Sequence, residues 1–279
     1  MFCLGKVSWK FFVFLPLPDR HQNFCMYLNE PFLSTAPQRI VSVVPSQTEL
    51  LNYLQLEEET VGITRFCVHP NTWHKNKKRI GGTKDLHIDE IIHLQPDLII
   101  ANKEENVKEQ IDILSQHFPV WLTDVNNFED ALQMIADIGS LTKKDAETQQ
   151  LIHQIQNKFL FSPPEKIKTA YLIWKDPYMT TGGDTFISNM MERAGFENVF
   201  KTKTRYPSID IDELKNLECE LILLSTEPYP FKQIHVEELQ NVLPDVRILL
   251  ADGEMFSWYG NHMLHAPAYF EELRIMAQG

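Results

Sequence analysis

The chain has 279 residues, of which 43% are hydrophobic and 23% are charged, so it can form one large domain or two lobes with a substantial core. Its formal net charge of −12 argues against a nucleic-acid partner, because a phosphate backbone attracts basic surfaces. The cysteines contain no CxxC pair, so they indicate neither a disulfide framework nor a zinc site; they are Cys3, Cys25, Cys67 and Cys219.

Residues 1–18 leave two interpretations open. Lys6 and Lys10 precede the apolar run 11–15, as in the charged and apolar regions of a signal peptide. The run is short, Pro16 and Pro18 interrupt it, and no small-x-small cleavage site follows. These features favour a first strand over an export signal.

Short apolar runs alternate with helical patterns of ten to twenty residues along the rest of the chain. This alternation predicts an α/β fold with mostly parallel sheets. The predicted strands cover residues 39–44, 98–101, 120–123, 169–174, 221–225 and 247–251.

An internal repeat divides the chain into two similar halves. The segment IDEIIHLQPDLII at 88–100 recurs as IDELKNLECELIL at 211–223, with a constant offset of 123 residues. Each copy predicts a short helix that begins with acidic residues, then a turn and a buried strand. Chance similarity between two α/β units is the alternative.

A single helix is predicted between the copies. Leu151, Ile152, Ile155 and Phe159 fall on one helical face, and the Ser-Pro-Pro sequence at 162–164 ends the pattern. The predicted organisation is an extension and hairpin at 1–37, an N-terminal lobe at 38–142, a connecting helix at 143–161 and a C-terminal lobe at 162–279. Periodicity alone does not separate a rigid connection from an ordinary surface helix.

The loops after the predicted strands carry aromatic side chains among polar ones. This combination is typical of a site for a large, flat ligand, and α/β proteins bind ligands at this edge of their sheets. The alternative is that the aromatic residues pack the interface between the lobes. The candidate ligand-binding residues are Gln47, Phe66, His69, Lys84, Trp174, Tyr178, Tyr206 and Trp258.

No catalytic or metal site is predicted. The sequence lacks a nucleophile elbow, a Walker A loop, a HExxH motif and a dinucleotide-binding glycine motif. Cys67 and His69 lie too close in sequence for an obvious nucleophile and base pair. His262 and His265 share a helical face near Glu254, but lack a third ligand at a known spacing. We therefore expect a binding protein without a covalently bound cofactor.

Five segments, taken in order, resemble a known family. RIVSVVPSQTELL at 39–51, VGIT at 61–64, LQPDLII at 94–100, GFENVF at 195–200 and the acidic helix start at 212–213 are similar to the helical-backbone metal receptor superfamily. These are the class III substrate-binding proteins for ferric siderophores, haem and cobalamin, and the cobalamin-receptor branch is the most similar. The resemblance runs from about residue 39 to 273. It implies two α/β lobes joined by one long helix, with a ligand cleft between them.

The resemblance also implies a function. Such proteins are monomeric solute-binding components of ABC importers, located in the periplasm or cell envelope, and they hold a corrinoid or ferric chelate without a covalent bond. They present one carboxylate per lobe to arginines of the membrane permease subunits. By position these are Asp89 or Glu90 in the first lobe and Asp212 or Glu213 in the second. As an alternative, both acidic pairs only cap helices.

Two departures from the family keep other interpretations open. The N-terminus is a weak export signal, although residues 19–28 resemble the hairpin before the first lobe of relatives. Where the cobalamin receptor has a cleft tryptophan, this chain has Thr83 and Lys84, and Lys84 would suit an anionic chelate. The alternatives are a tetrapyrrole or metal-chelate sensor retained in the cytoplasm, and an enzyme on the same scaffold.

Overall fold

The computed structural model describes residues 26–160, 163 and 165–278. The predicted export signal or first strand at 1–18, and most of the predicted hairpin at 19–28, lie outside the described residues. Among the described helices, none combines the length and the apolar composition that a membrane span requires.

The first half of the described chain forms a five-stranded parallel sheet in the order β3-β2-β1-β4-β5. Its strands are β1 Ile40–Ser42, β2 Thr60–Ile63, β3 Lys78–Arg79, β4 Leu98–Asn102 and β5 Val120–Thr123. The helices between them are α1 Pro45–Tyr53, α2 Asn71–Asn76, α3 Ile88–Leu94 and α4 Lys108–Ser115.

The second half forms a separate sheet in the order β10-β9-β6-β7, with β8 also paired to β6. Its strands are β6 Ile167–Trp174, β7 Met179–Thr180, β8 Phe196–Asn198, β9 Leu221–Ser225 and β10 Arg247–Ala251; only β7 is antiparallel to its neighbour within this described sheet. Its helices are α7 Phe186–Arg193, α8 Ile211–Asn216, α9 Gln233–Val242, α10 Glu254–Ser257, a 3-10 helix Asn261–Leu264 and α11 Ala266–Gln278. The predicted α/β fold with two mostly parallel sheets is confirmed.

Two helices follow one another in the chain between the last strand of the first sheet and the first strand of the second. They are α5 Phe128–Thr142 and α6 Asp145–Lys158, and α6 falls within the predicted span 143–161. The chain turns between them at Lys143, whose φ is 60°. Gly139 allows the two helices to approach closely, because a Cβ atom there would lie 2.1 Å from the Thr148 hydroxyl oxygen.

The sequence repeat is also a repeat of local structure. Gln95 directly follows α3 and adopts a left-handed backbone conformation with a φ of 47°. Its equivalent Glu218 lies two residues after α8 and has a φ of 48°. The Asp97 carboxylate accepts the backbone N–H of Arg39, just before β1, at 2.9 Å. In the second half, the Glu220 carboxylate accepts the backbone N–H of Lys168, at the start of β6, at 2.8 Å. Both pairs are separated by 123 residues (218 − 95 and 220 − 97), so equivalent residues make equivalent connections.

One buried core joins the two sheets. Alternate residues of each strand point to opposite faces, so Leu98 and Leu221 contribute to this shared core while Ile99 and Ile222 contribute to separate outer clusters. Leu151 and Ile155 of α6 pack in the same shared core. Separating the sheets would expose this apolar surface, at a cost of roughly 25 cal/mol per Å².

We therefore expect little closure when a ligand binds. The radius of gyration, measured by small-angle X-ray scattering with and without a saturating corrinoid, should change by less than about 1 Å. A decrease of several ångströms would show that the shared core does not restrain the two halves.

Candidate functional site

A cleft of about 760 Å³ lies between the two sheets. Loops that follow the strands of both sheets form its walls, at the edge where α/β proteins bind ligands. Its volume is in the range of pockets for small-molecule ligands. The lining includes Phe66, Lys84, Glu104, Glu105, Trp174, Tyr206, Glu227, Glu254, Trp258 and Tyr259.

Two exposed aromatic rings face the cleft from different halves of the molecule. Phe66, after β2, is 50% exposed, and Trp174, at the end of β6, is 41% exposed. Trp174 packs edge-on against Tyr229, with 5.6 Å between ring centroids, and the Arg65 guanidinium lies 5.1 Å from the Phe66 ring centroid. Large aromatic rings left open to solvent in a concave site indicate a ligand that covers them.

The inner wall of the cleft carries aromatic residues with polar groups that are already paired. Trp258 and Tyr259 are buried, and the Trp258 indole N–H donates to Glu227 at 3.1 Å. The Tyr259 hydroxyl donates to Glu105 at 3.4 Å. These bonds hold the two rings in place without using a ligand.

Four glutamates give the cleft an acidic wall on each side. Glu104 and Glu105 follow β4, whereas Glu227 follows β9 and Glu254 begins α10. Burial raises the pKa of Glu105 to about 7; the Tyr259 hydroxyl opposes this shift, and the nearby charges of Glu227 and Glu104 add to it. Burial also raises the pKa of Glu227, against the hydrogen bonds from Ser257 and Trp258.

Lys84 supplies one positive charge to the lining. The Lys84 ammonium donates to the backbone carbonyl of Glu104 at 2.6 Å, and Lys84 is the only lysine or arginine among the described lining residues. Arg205 is outside the lining, with 3.1 Å between its guanidinium and the Glu104 carboxylate. Lys84 therefore lies in the cleft among carboxylates, and its role as the anchor of an anionic chelate stays a prediction.

Contacts between histidine and glutamate side chains at the edge of the cleft connect the two halves. His69 of the first half lies 3.1 Å from Glu254 of the second, and His262 lies 3.0 Å from Glu49 in α1. Burial lowers the pKa of His262, but the hydrogen bond and charge of Glu49, together with the charges of Glu254 and Asp252, outweigh this effect, and the pKa lies above its usual value. Together with the Arg205–Glu104 pair, these contacts tie the halves on both sides of the site.

Five of the eight predicted ligand-binding residues line the cleft, namely Phe66, Lys84, Trp174, Tyr206 and Trp258. Gln47 does not, because it is fully buried in the first turn of α1 and donates to Thr123 at 2.7 Å. His69 lies at the edge, with its ring centroid 5.3 Å from that of Trp258. Tyr178 packs against the outer core of the second sheet instead.

Sequence reasoning did not include the glutamates among the ligand-binding residues, and it considered Glu254 only as a possible metal ligand beside His262 and His265. Acidic residues in loops are common on solvated surfaces, so their type alone carries no signal. The internal repeat could have indicated two of them. Glu104 and Glu227 are separated by the same 123 residues as the repeat, and each follows an equivalent strand.

The first pair of predicted docking acids lies at the start of α3. Glu90 is engaged within the protein, 3.1 Å from Lys78 and 3.4 Å from His87. Asp89 is exposed, and no described side chain pairs with its carboxylate. Neither residue accepts a capping bond from its own helix.

The second pair lies at the start of α8, where capping does occur. Asp210 caps this helix, and Glu213 completes the capping box by accepting the Asp210 backbone N–H at 3.1 Å. Glu213 also accepts from Lys203 at 2.7 Å. Asp212 is exposed and pairs only with Lys215, three residues along the helix, among the described side chains. The capping alternative therefore holds for Glu213 alone.

The described residues provide neither a metal-binding cluster nor a reactive Cys67 thiol. The described residues contain no group of three or more His, Cys, Asp and Glu side chains placed to hold a metal ion. Burial raises the pKa of the Cys67 thiol to about 11, so the thiol is protonated at neutral pH and a poor nucleophile.

The sequence profile of the periplasmic binding protein family matches residues 40–245. The chain belongs to this family. As a periplasmic binding protein, it binds its solute rather than converting it, in line with the prediction of a binding protein.

Known relatives extend the comparison. The chain is 23% identical over 220 residues to the vitamin B12-binding protein of Vibrio parahaemolyticus, covering 73% of this chain and 78% of the relative. It is 25% identical over 201 residues to an ABC transporter substrate-binding lipoprotein of Bacillus subtilis, covering 67% and 63% of the two chains. Its fold matches the periplasmic haem-binding protein RhuT of Roseiflexus sp. RS-1 with a TM-score of 0.72 and 18% identity, over 84% of this chain and 98% of that one.

The His262–Glu49 pair predicts a pH-dependent contribution to stability. Glu49→Gln keeps the side-chain shape and removes the charge that raises the His262 pKa. A raised histidine pKa stabilises the fold below the pKa of the unfolded state, and this contribution disappears as the pH rises through the folded pKa. Urea unfolding should show a loss of about 1 kcal/mol at about pH 5.5 and a smaller loss at about pH 8.5.

Glu197→Gln is the matched control, because Glu197 forms an exposed pair with Lys201 at 2.6 Å. Such pairs contribute at most about 1 kcal/mol, and this variant should show no histidine-linked change between the two pH values. Equal unfolding free energies for the wild type and Glu49→Gln at both pH values would contradict the assignment.

Proposed function

We propose that this protein is the solute-binding component of an ABC importer and captures a corrinoid or a related planar metal chelate in its cleft. The observation that carries the proposal is the pair of exposed aromatic rings, Phe66 and Trp174, facing one cleft of about 760 Å³ from different halves of the molecule. The family and the relatives named for vitamin B12, haem and ABC transport support it.

A planar macrocycle fits the chemistry of this cleft. Its faces would cover the rings of Phe66 and Trp174, and apolar surface removed from water contributes roughly 25 cal/mol per Å². Tyr206 and Ser257 add polar groups to the lining. A ligand held by such contacts needs no covalent bond and can be released to a transporter.

Among the candidate cargoes, a corrinoid fits the charges better than haem does. The acidic wall would repel the propionate groups of haem, whereas the amide side chains of a corrinoid can donate to carboxylates. Ferric siderophores remain in the proposal only where their outer surface is neutral or positive.

An envelope location and a monomeric state belong to the same proposal. The relatives include periplasmic proteins and a lipoprotein. One chain supplies both walls of the cleft, so the site needs no second copy. The cytoplasmic sensor is the competing interpretation, and an import assay separates the two.

Asp89 and Asp212 are the residues we propose for docking to the permease. They are equivalent in the repeat, since 212 − 89 is 123, and both side chains are exposed outside the capping interactions. Two equivalent membrane subunits could each offer a cation to one of them. Exposed charge pairs of this kind mainly direct association and orientation.

The ligand contacts are tested with Phe66→Ala and Trp174→Ala. Each should weaken the binding of dicyanocobinamide by about tenfold in isothermal titration calorimetry, because a central aromatic contact contributes more than about 1 kcal/mol. Phe32→Ala is the matched control, since Phe32 is 64% exposed and lies outside the cleft lining. Unchanged affinity in both cleft variants would exclude these rings as contacts.

The cargo class is tested by a thermal-shift screen with cobalamin, dicyanocobinamide, haem and ferric siderophores. A ligand at about 100 times its Kd stabilises the folded state by about 2.7 kcal/mol and raises the melting temperature. If no member of this panel does so at saturating concentration, the proposed cargo class is contradicted.

Docking is tested with the double variant Asp89→Lys/Asp212→Lys. It should bind dicyanocobinamide within about twofold of the wild type, because neither residue lines the cleft. It should lose at least about tenfold in stimulating ATP hydrolysis by the reconstituted importer, because like charges would then oppose each other.

The control Glu57→Lys/Glu58→Lys makes the same change in net charge at exposed residues just after α1. It should stimulate ATP hydrolysis as the wild type does. Full stimulation by the Asp89/Asp212 variant would leave these two aspartates without a docking role.

A further inference from the structure

The acidic residues of the cleft are arranged symmetrically. Glu104 and Glu227 occupy equivalent places in the two halves, each two residues beyond the end of an equivalent strand, and both line the cleft. A ligand between the walls therefore meets one carboxylate of this pair on each side. Glu105 and Glu254 extend the acidic surface in the first and second half.

Neutral donors, rather than cations, satisfy two of these four carboxylates, Glu227 and Glu105. Glu227 accepts from the Ser257 hydroxyl at 2.7 Å and from the Trp258 indole at 3.1 Å. The donor to Glu105 is the Tyr259 hydroxyl, at 3.4 Å. Among the described side chains, Glu104 alone has an arginine nearby, the Lys84 charge acts on Glu105, and Glu254 pairs with His69. The negative charge of the walls is therefore only partly compensated within the protein.

A carboxylate in this setting favours an N–H donor or a positive group on the ligand. A charge-assisted N–H bond to a partly buried carboxylate is stronger than a bond between neutral groups. A ligand carboxylate at the same place would meet a like charge with little solvent to screen it. The same apolar centre can therefore accept one macrocycle and reject another that differs only at its edge.

We propose that the cleft selects planar chelates by the charge of their periphery, accepting amide-bearing or cationic edges and rejecting edges that carry carboxylates. This inference rests on the proposed function and deepens it, because it names the class of ligand. Dicyanocobinamide and dicyanocobyrinic acid are suitable probes. They share the corrin ring and cobalt, but the side chains are amides in the first and carboxylates in the second.

In calorimetry at about pH 8, the wild type should bind dicyanocobinamide at least about a hundredfold more tightly than dicyanocobyrinic acid. Glu104→Gln/Glu227→Gln replaces one carboxylate on each wall with an amide of the same shape. It should reduce this ratio by about tenfold, mainly through tighter binding of the carboxylate ligand. Glu109→Gln, an exposed residue of α4 outside the cleft, should leave the ratio unchanged.

Glu105→Gln is a second variant. Unlike Glu104→Gln, it does not remove the carboxylate that pairs with Arg205. Because the Glu105 pKa is about 7, the wild-type ratio should rise as the pH increases from about 6 to 8, while the ligand carboxylates stay ionised throughout. The variant should show a weaker pH dependence. The charged and titratable groups that interact with the Glu105 carboxyl through charge or a hydrogen bond are Glu104, Glu227, Lys84, Tyr206, Tyr259 and Cys67.

The outcomes separate the inference from the proposed function. Equal affinity for the two probes, or tighter binding of dicyanocobyrinic acid, would overturn charge selection and leave corrinoid binding intact. An unchanged ratio in the Glu104/Glu227 variant would remove these residues as its cause. If neither probe binds, corrinoid capture fails and the inference fails with it.

Discussion

The shared core between the two sheets is the constraint on which the site depends. Helices α5 and α6 contribute residues such as Leu141, Leu151 and Ile155 to this core, which also contains residues of both sheets. This packing holds the loops that follow the strands of both sheets at one cleft, where the His69–Glu254 and Arg205–Glu104 contacts also link the two halves. Binding energy is then used for ligand contacts rather than for ordering two separate halves.

The repeat explains why the cleft has two similar walls. The same short helix, turn and strand occur in each half, with Asp97 and Glu220 making the same backbone connection. The equivalent strands β4 and β9 both lead to a glutamate, Glu104 or Glu227, and both glutamates line the cleft. Near-symmetry of the fold therefore becomes near-symmetry of charge around the ligand.

The strands were the most predictable part of the structure. Strands β5, β9 and β10 have the predicted bounds, because short apolar runs between polar turns leave little choice of element or length. The turn between α5 and α6 lies at the predicted boundary between the first lobe and the connecting helix, although neither glycine nor proline marks the left-handed conformation of Lys143. Of the site, the exposed aromatics could be predicted from their loops. Gln47 could not, because its burial beneath the cleft depends on how α1 packs against Thr123.

The central claim is that a planar chelate lies between Phe66 and Trp174 with its edges against the two acidic walls. A crystal structure of the protein with dicyanocobinamide tests this most directly. The account predicts the corrin ring between the two aromatic side chains, with ligand amide nitrogens within about 3.2 Å of the Glu104 and Glu227 carboxylates. A ligand bound outside the cleft, or one whose amides point to solvent while these carboxylates keep only protein partners, would contradict it.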